Sequence, residues 1–292
     1  LDDAVGSLLD ALEAEDVADD TIIVFYSDNG GNIHCGLEET DASGEKYITA
    51  ITSNYPLRGG KGGIHEGGVR IPAVVVWPNV TEAGSRSDVR IQSNDLYPTI
   101  LRMLNVERPK DHVIDGVDFA TALHGEDMYR GPMFTHVPGH GNTPQWLPPS
   151  ISVHHNDWKL IRTFHYGEDG NHEYRLYNLH EDIGENTNLA ADRPTLVKEL
   201  DRLIENYVAE AGVVVPLPNP KFGPAKFTPS QIGVQAGGLK MPPDYIRAHQ
   251  ERGAAKRMTT VNKKSMLGWI ARNAEATVEG DSLRLSPAGR QS

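Results

Sequence analysis

Thr21-Ile22-Ile23-Val24-Phe25-Tyr26-Ser27-Asp28-Asn29-Gly30-Gly31 begins as an apolar run, mostly β-branched or aromatic, and breaks abruptly into a polar turn. Such a run behind polar residues reads as a buried strand of a parallel sheet. Asp28 and Asn29 then stand at the carboxyl end of that strand, where open α/β sheets place their ligands. A carboxylate and a neutral amide oxygen suit calcium or magnesium better than zinc. The other reading is an ordinary strand-to-loop turn, because Asp-Asn-Gly is favoured in turns for local reasons.

Upstream, Leu1, Val5, Leu8 and Leu12 recur at helical spacing from the first position. No methionine or N-cap residue precedes them, so the expectation is a chain that starts within a longer protein. Downstream, a loop of about two dozen residues, long for a compact domain, closes on a glycine-rich stretch from Arg58 to Arg70. Ile71 to Trp77 reads as a second buried strand. Leu96, Ile100, Leu101 and Leu104 mark a helix with Asp95 as N-cap and Pro98 in its first turn, and Asp118 to Leu123 a shorter one. Hairpins follow at Pro132–Val137, Ser150–His155 and Trp158–Phe164, with a further strand at Tyr174–Leu179. From Pro194 the apolar residues Leu196, Val197, Leu200, Leu203, Ile204, Tyr207 and Val208 share one helical face. Beyond Gly212 the signal weakens: Pro216–Pro229 is proline-rich and extended, Tyr245–Lys256 reads as a weak helix, and Ala276–Leu285 as a strand pair. The expected organisation is an α/β part over residues 1–129, an antiparallel subdomain with its helix over 130–212, and an irregular tail over 213–292.

Among 292 residues, 28 Lys and Arg face 40 Asp and Glu, a formal charge of −12. That balance argues against a nucleic-acid partner, which needs a basic footprint. No apolar run approaches the length of a membrane span. The one cysteine, Cys35, excludes an internal disulfide and gives no clue to compartment.

Leu57-Arg58-Gly59-Gly60-Lys61-Gly62-Gly63-Ile64-His65-Glu66-Gly67-Gly68-Val69-Arg70-Ile71-Pro72 holds six glycines among charged side chains. Such a loop can gather backbone amides and cations around a tetrahedral anion. It can equally be a flexible surface loop. It is not a Walker loop, since no Ser or Thr follows Lys61 as that motif requires.

In order, Ser27–Gly31, Arg58–Pro72, Asp95-Leu96-Tyr97-Pro98-Thr99-Ile100-Leu101 and Leu176-Tyr177-Asn178-Leu179 through Asp182, Gly184-Glu185 and Asn188-Leu189 resemble the second half of the type I sulfatases. The match covers roughly residues 1–211. It implies the C-terminal part of an alkaline phosphatase-like α/β domain, with a smaller antiparallel-sheet subdomain packed with a helix. It also implies sulfate-ester hydrolysis by a formylglycine nucleophile with Ca2+, on a sulfated small molecule or carbohydrate. By motif, Asp28 and Asn29 would be metal ligands and Lys61 the cation on the sulfate. Arg58 and His65 would stand at the pocket rim, His65 where relatives often have an aromatic residue. His136 and His140 resemble residues bordering the cleft of carbohydrate sulfatases, with ordinary surface or hydrogen-bonded histidines as the alternative. The doublet His154-His155 departs from relatives that more often carry Arg, and Trp158 reads as packing.

The modification motif, Cys or Ser followed by x-Pro-x-Arg, is found nowhere in these residues, and Cys35 lies in the wrong context. The formylglycine is therefore expected in an N-terminal segment outside this sequence, and the chain by itself is expected to be inactive. The family's periplasmic or extracellular location is the matching expectation. Two rivals remain at this stage: a phosphodiesterase or phosphonate hydrolase of the same superfamily, and a non-catalytic binding subunit.

Overall fold

The computed structural model of the chain describes residues 1–33, 36–40, 44, 46–50, 52–139, 147–220, 274–279 and 282–287. The chain divides into two compact units. One gathers Leu1–Tyr26, Ala73–Arg130 and Pro243–Ser292; the other gathers Ser27–Pro72 and Gly131–Pro242. Cys35, His140 and the segment Tyr245–Lys256 lie outside the described residues.

In the first unit, helix α1 (Asp2–Ala14) buries Gly6 and Leu9. Strands β1 (Ile23–Tyr26) and β4 (Ala73–Val76) follow the two apolar runs, but they pair with each other antiparallel, Ile23 opposite Val76 and Tyr26 opposite Ala73. Neither strand contains a buried residue. The expectation of buried parallel strands is thus corrected: an apolar run specifies a strand, not the direction or identity of its neighbour. Helices α3 (Leu96–Met103) and α4 (Ala120–Leu123) fall within the predicted spans, and β9 (Ala274–Glu279) pairs antiparallel with β10 (Ser282–Pro287) as expected of the tail.

Asp95 precedes α3, yet its side chain does not cap that helix. It belongs to a one-turn 3-10 segment, Ser93–Asp95, and closes a capping box with Gln92. The fully buried carboxylate accepts from the backbone N–H of Val117 at 2.8 Å and of Gln92 at 2.7 Å. It also takes a two-pronged contact from Arg130, Nε at 2.9 Å and Nη2 at 2.8 Å. A planar guanidinium matches a carboxylate in this way, and the pairing offsets the cost of burying the charge.

In the second unit, the stretch read as a long loop contains a hairpin, β2 (Gly36–Thr40) with β3 (Lys46–Ala50), Glu38 opposite Ile48. It was missed because Gly36, Glu38, Glu39 and Lys46 carry little strand propensity. A four-stranded antiparallel sheet runs in the order β5 (Met133–Val137), β6 (Ser150–His155), β7 (Trp158–Thr163) and β8 (Glu173–Asn178), matching the predicted hairpins. Helix α5 (Pro194–Ala211) starts on a proline, whose missing N–H costs nothing there, and stops at Gly212 with φ 59°.

Side-chain alternation gives this sheet two faces. Ile151, Val153, Leu160 and Leu176 pack with Leu200 and Ile204 of α5. Full burial of each such side chain contributes roughly 1.5–3 kcal/mol. Trp158 packs at the edge of this cluster under the Arg193 guanidinium. Arg162, on the same face, pairs with Asp201 at 3.1 Å and with Glu205. The Tyr174 hydroxyl donates to Asp201, and burial together with that carboxylate pushes it up to about 12. The opposite face carries His154, Lys159, Arg175 and Tyr177, all buried. Lys159 stands directly across from both His154 and Tyr177.

Candidate functional site

The turn after β1 and the glycine-rich loop meet through their backbones. Gly30 donates its N–H to the Gly68 carbonyl at 2.9 Å, and Lys61 donates to Gly31 at 3.1 Å. Asn54 ties the same pieces: its amide donates to Gly31 and Gly59, and its oxygen accepts from Gly31. Contact this close requires glycine. A Cβ on Gly30 would overlap the Gly67 carbonyl, one on Gly67 that of Gly59, and one on Gly68 that of Gly63. The turn that carries Asp28 and Asn29 and the loop that carries Lys61 are thus clasped through their backbones and Asn54.

Asp28 and Lys61 are exposed and Asn29 is half-buried. The Asn29 amide nitrogen donates to Gly30 at 3.1 Å. Its oxygen and the Asp28 carboxylate have no hydrogen-bond partner among the described residues. Two unengaged oxygen-bearing side chains, one anionic, fit a hard divalent cation, although calcium takes six to eight oxygens. Among the described residues no group of three or more His, Cys, Asp or Glu side chains is arranged to hold a metal ion.

Some of the glycine loop's amides are spent within the loop. Gly63 donates to Gly60, Gly67 to Arg58 and Gly68 to His65, each at 2.8 Å. The glycines let the loop fold tightly on itself, which takes these three amides away from any anion, while Lys61 is exposed.

Beneath the loop lies an ionic cluster that sequence reasoning did not find. The short helix α2 (Glu66–Val69) carries Glu66 down onto the polar face of the sheet. Its Oε1 accepts from His154 Nε2 at 2.8 Å and from Lys159 Nζ at 3.0 Å. Lys159 also ion-pairs with Glu185 at 2.9 Å. The other Glu185 oxygen accepts the Glu66 N–H at 2.6 Å, and the Glu185 carbonyl accepts from Arg58 Nη1 at 3.0 Å. Lys159 and Glu185 are fully buried. Burial alone would push the Glu66 carboxyl up, but the Lys159 ammonium and the hydrogen bonds of His154 and Lys159 outweigh it and hold Glu66 well below the carboxylate range. Burial wins at Glu185, which is raised despite Lys159. The signals that could have revealed this group were weak: a lysine inside the apolar run of β7, and a glutamate in the turn Gly184-Glu185.

His65 does not stand at a rim. It is completely buried, its ring 6.2 Å from that of Tyr177, and neither ring nitrogen has a partner among the described residues. Burial, then Lys159, Arg58 and Arg175, hold its pKa well below 6.5 against the pull of Glu66. Arg58 is half-buried under the loop. His136 lies opposite Ile151, on the face that packs against α5, with its ring edge-on to Phe164. Burial and Arg162 lower its pKa. The structure thus does not bring His136 to Lys61, and His140 falls outside the described residues.

Comparison with known proteins follows the same residues. The family profile described as Sulfatase matches residues 1–106, and that of N-sulphoglucosamine sulphohydrolase, C-terminal, matches 60–210. A sulfatase of Formosa agariphila is 33% identical over 209 residues, 67% of this chain and 34% of that protein. The steryl-sulfatase of Homo sapiens is 32% identical over 164 residues, 55% of this chain and 26% of its own. The N-acetylgalactosamine-6-O-sulfatase of Bacteroides thetaiotaomicron is 28% identical over 218 residues, 70% of this chain and 40% of its own. The crystal structure of Ps i-CgsB superposes with a TM-score of 0.55 at 26% identity, over 70% of this chain and 40% of that one. The fold is α/β, as in these sulfatases of alkaline phosphatase-like fold. The chain spans between a quarter and two-fifths of the length of these relatives.

Proposed function

The chain belongs to the sulfatase family, and we propose that it forms the C-terminal part of a calcium-dependent sulfuric ester hydrolase acting on sulfated carbohydrates. The observation that supports this reading is the double backbone clasp, Gly30 to Gly68 and Lys61 to Gly31, which ties the turn carrying Asp28 and Asn29 to the loop carrying Lys61. In the reaction, Asp28 and Asn29 would hold the cation through their unengaged oxygens. Lys61 would bind the sulfate and offset charge developing on the ester oxygen as the bond to sulfur breaks. A bound calcium ion supplies Lewis-acid polarisation of sulfate oxygens. A formylglycine nucleophile would have to be supplied by residues other than these, among which no modification motif is found. A carbohydrate substrate is supported by the relative named as an N-acetylgalactosamine-6-O-sulfatase and by Ps i-CgsB, solved in complex with a neocarrahexaose. A periplasmic or extracellular site of action is proposed from the family.

The test is hydrolysis of an aryl sulfate with Ca2+ present. The 292 residues alone are expected to show no turnover, and a longer protein that supplies the modification motif is expected to be active. In that protein Lys61→Ala should lower kcat by about 10²–10³-fold, as loss of one pre-placed charge-stabilising group does. No turnover by the longer protein would overturn the sulfatase reading, turnover by the 292-residue chain the external nucleophile, and full activity of the Lys61 variant the role of Lys61.

A further inference from the structure

The buried cluster under the glycine loop has no part in the chemistry proposed above, yet it holds every strand of the clasp. Helix α2 is the common piece. Its Gly68 carbonyl receives Gly30 beside the Asp28-Asn29 turn, and its Gly67 N–H holds the Arg58 carbonyl at the start of the Lys61 loop. At four residues, α2 cannot hold its own position by helical hydrogen bonding. What fixes it is Glu66, drawn onto β6 and β7 by His154 and Lys159, with its own N–H received by Glu185. Glu185 reaches the other side of the loop through Arg58. We propose that Lys159, with His154 and Glu185, acts as a positioning residue: by gripping Glu66 it sets the Lys61 ammonium against the Asp28-Asn29 turn.

Charge chemistry favours a positioning role over a purely stabilising one. A lysine with no exposed surface pays a large desolvation cost, and an apolar residue in its place is often equally stable. The ammonium instead supplies what an apolar side chain lacks, directed bonds to two carboxylates on two different loops. Lys159 is carried by a central strand, paired on both sides, so the grip has a rigid base.

The inference rests on the reading of Asp28, Asn29 and Lys61 given above, and the experiment separates the two. Amide hydrogen exchange is measured on the 292-residue chain for Lys159→Met. It is repeated for Glu66→Gln/Lys159→Met/Glu185→Gln, which removes all three charges, leaves His154 an acceptor and keeps an amide oxygen for the N–H at position 66, so that one variant folds even if a lone buried carboxylate is not tolerated. The expected result is exchange at least about tenfold faster over residues 59–70, with Val153 and Leu160 amides unchanged. Equal acceleration everywhere, or none in the loop, overturns the proposal. In the longer, active protein the triple variant is expected to lower kcat for an aryl sulfate at least about tenfold, with KM changed less. A loosened loop with unchanged kcat would overturn the positioning role. Full activity of Lys61→Ala, measured alongside, would instead sink the role given to Lys61 and leave the exchange result standing.

Discussion

His65 is an imidazole enclosed by protein with neither nitrogen engaged among the described residues. Its pKa is held well below 6.5 by burial and by three nearby cations, so the native state keeps it neutral. In the unfolded chain it titrates normally. Below pH 6.5 the unfolded state therefore binds a proton that the native state refuses, and stability falls as pH falls. The slope for one such group approaches about 1.4 kcal/mol per pH unit. Glu66 acts in the same direction at lower pH: its depressed native pKa gives stability that is present above 4.5 and lost as pH falls towards the native value. Phenylalanine fits the same space without the titration. Denaturant midpoints from pH 7 to 5 are expected to flatten in His65→Phe relative to the parent chain. Parallel slopes would mean that the imidazole takes up its proton alike in the folded and the unfolded chain.

At the scale of the element, the glycine loop and the β5–β8 sheet answer different questions about what sequence can tell. The hairpins and α5 were legible because their signals are local: alternation over β6 and β7, Asn156-Asp157 at the turn, and Pro194 and Gly212 at the ends of the helix. The clasp of Asp28, Asn29 and Lys61 was legible only through its motifs, because nothing in the spacing brings residue 30 beside residue 68. The grip of Lys159 on Glu66 was not legible at all. It joins positions 93 residues apart, and a lysine in an apolar strand reads as a solvent-facing side chain. The loop's glycines also make a sharper claim than flexibility. An added methyl at Gly68 would meet the backbone oxygens of Gly63 and Gly60, which cannot step aside as a side-chain tip can. Gly68→Ala is expected to cost about 1–3 kcal/mol, the usual range for overpacking. It should also release the Gly30 amide, read as faster exchange at that residue. Unchanged stability together with a protected Gly30 amide would show that the clasp has more room than its geometry indicates.

Across the whole molecule, the supply of ligands limits what this chain can bind by itself. The only metal ligands carried over by motif are Asp28 and Asn29, at most about three side-chain oxygens where calcium takes six to eight. Among the described residues no further carboxylate, histidine or cysteine joins them in a group of three. Glu66 and Glu185 are not in reserve, since Lys159 and the Glu66 N–H engage them inside the sheet. With so few anionic oxygens, affinity should fall at or beyond the weak end of protein calcium sites, a Kd of about 1 mM or higher. Titration calorimetry of the 292-residue chain with CaCl2 is therefore expected to give little heat, and Asp28→Ala to change it little. A longer protein that adds further carboxylates should bind far more tightly and lose that affinity in the same variant. Micromolar binding by the 292 residues alone, abolished by Asp28→Ala, would show that this chain completes the coordination sphere itself, and the division of the metal site between it and residues outside it would then be wrong.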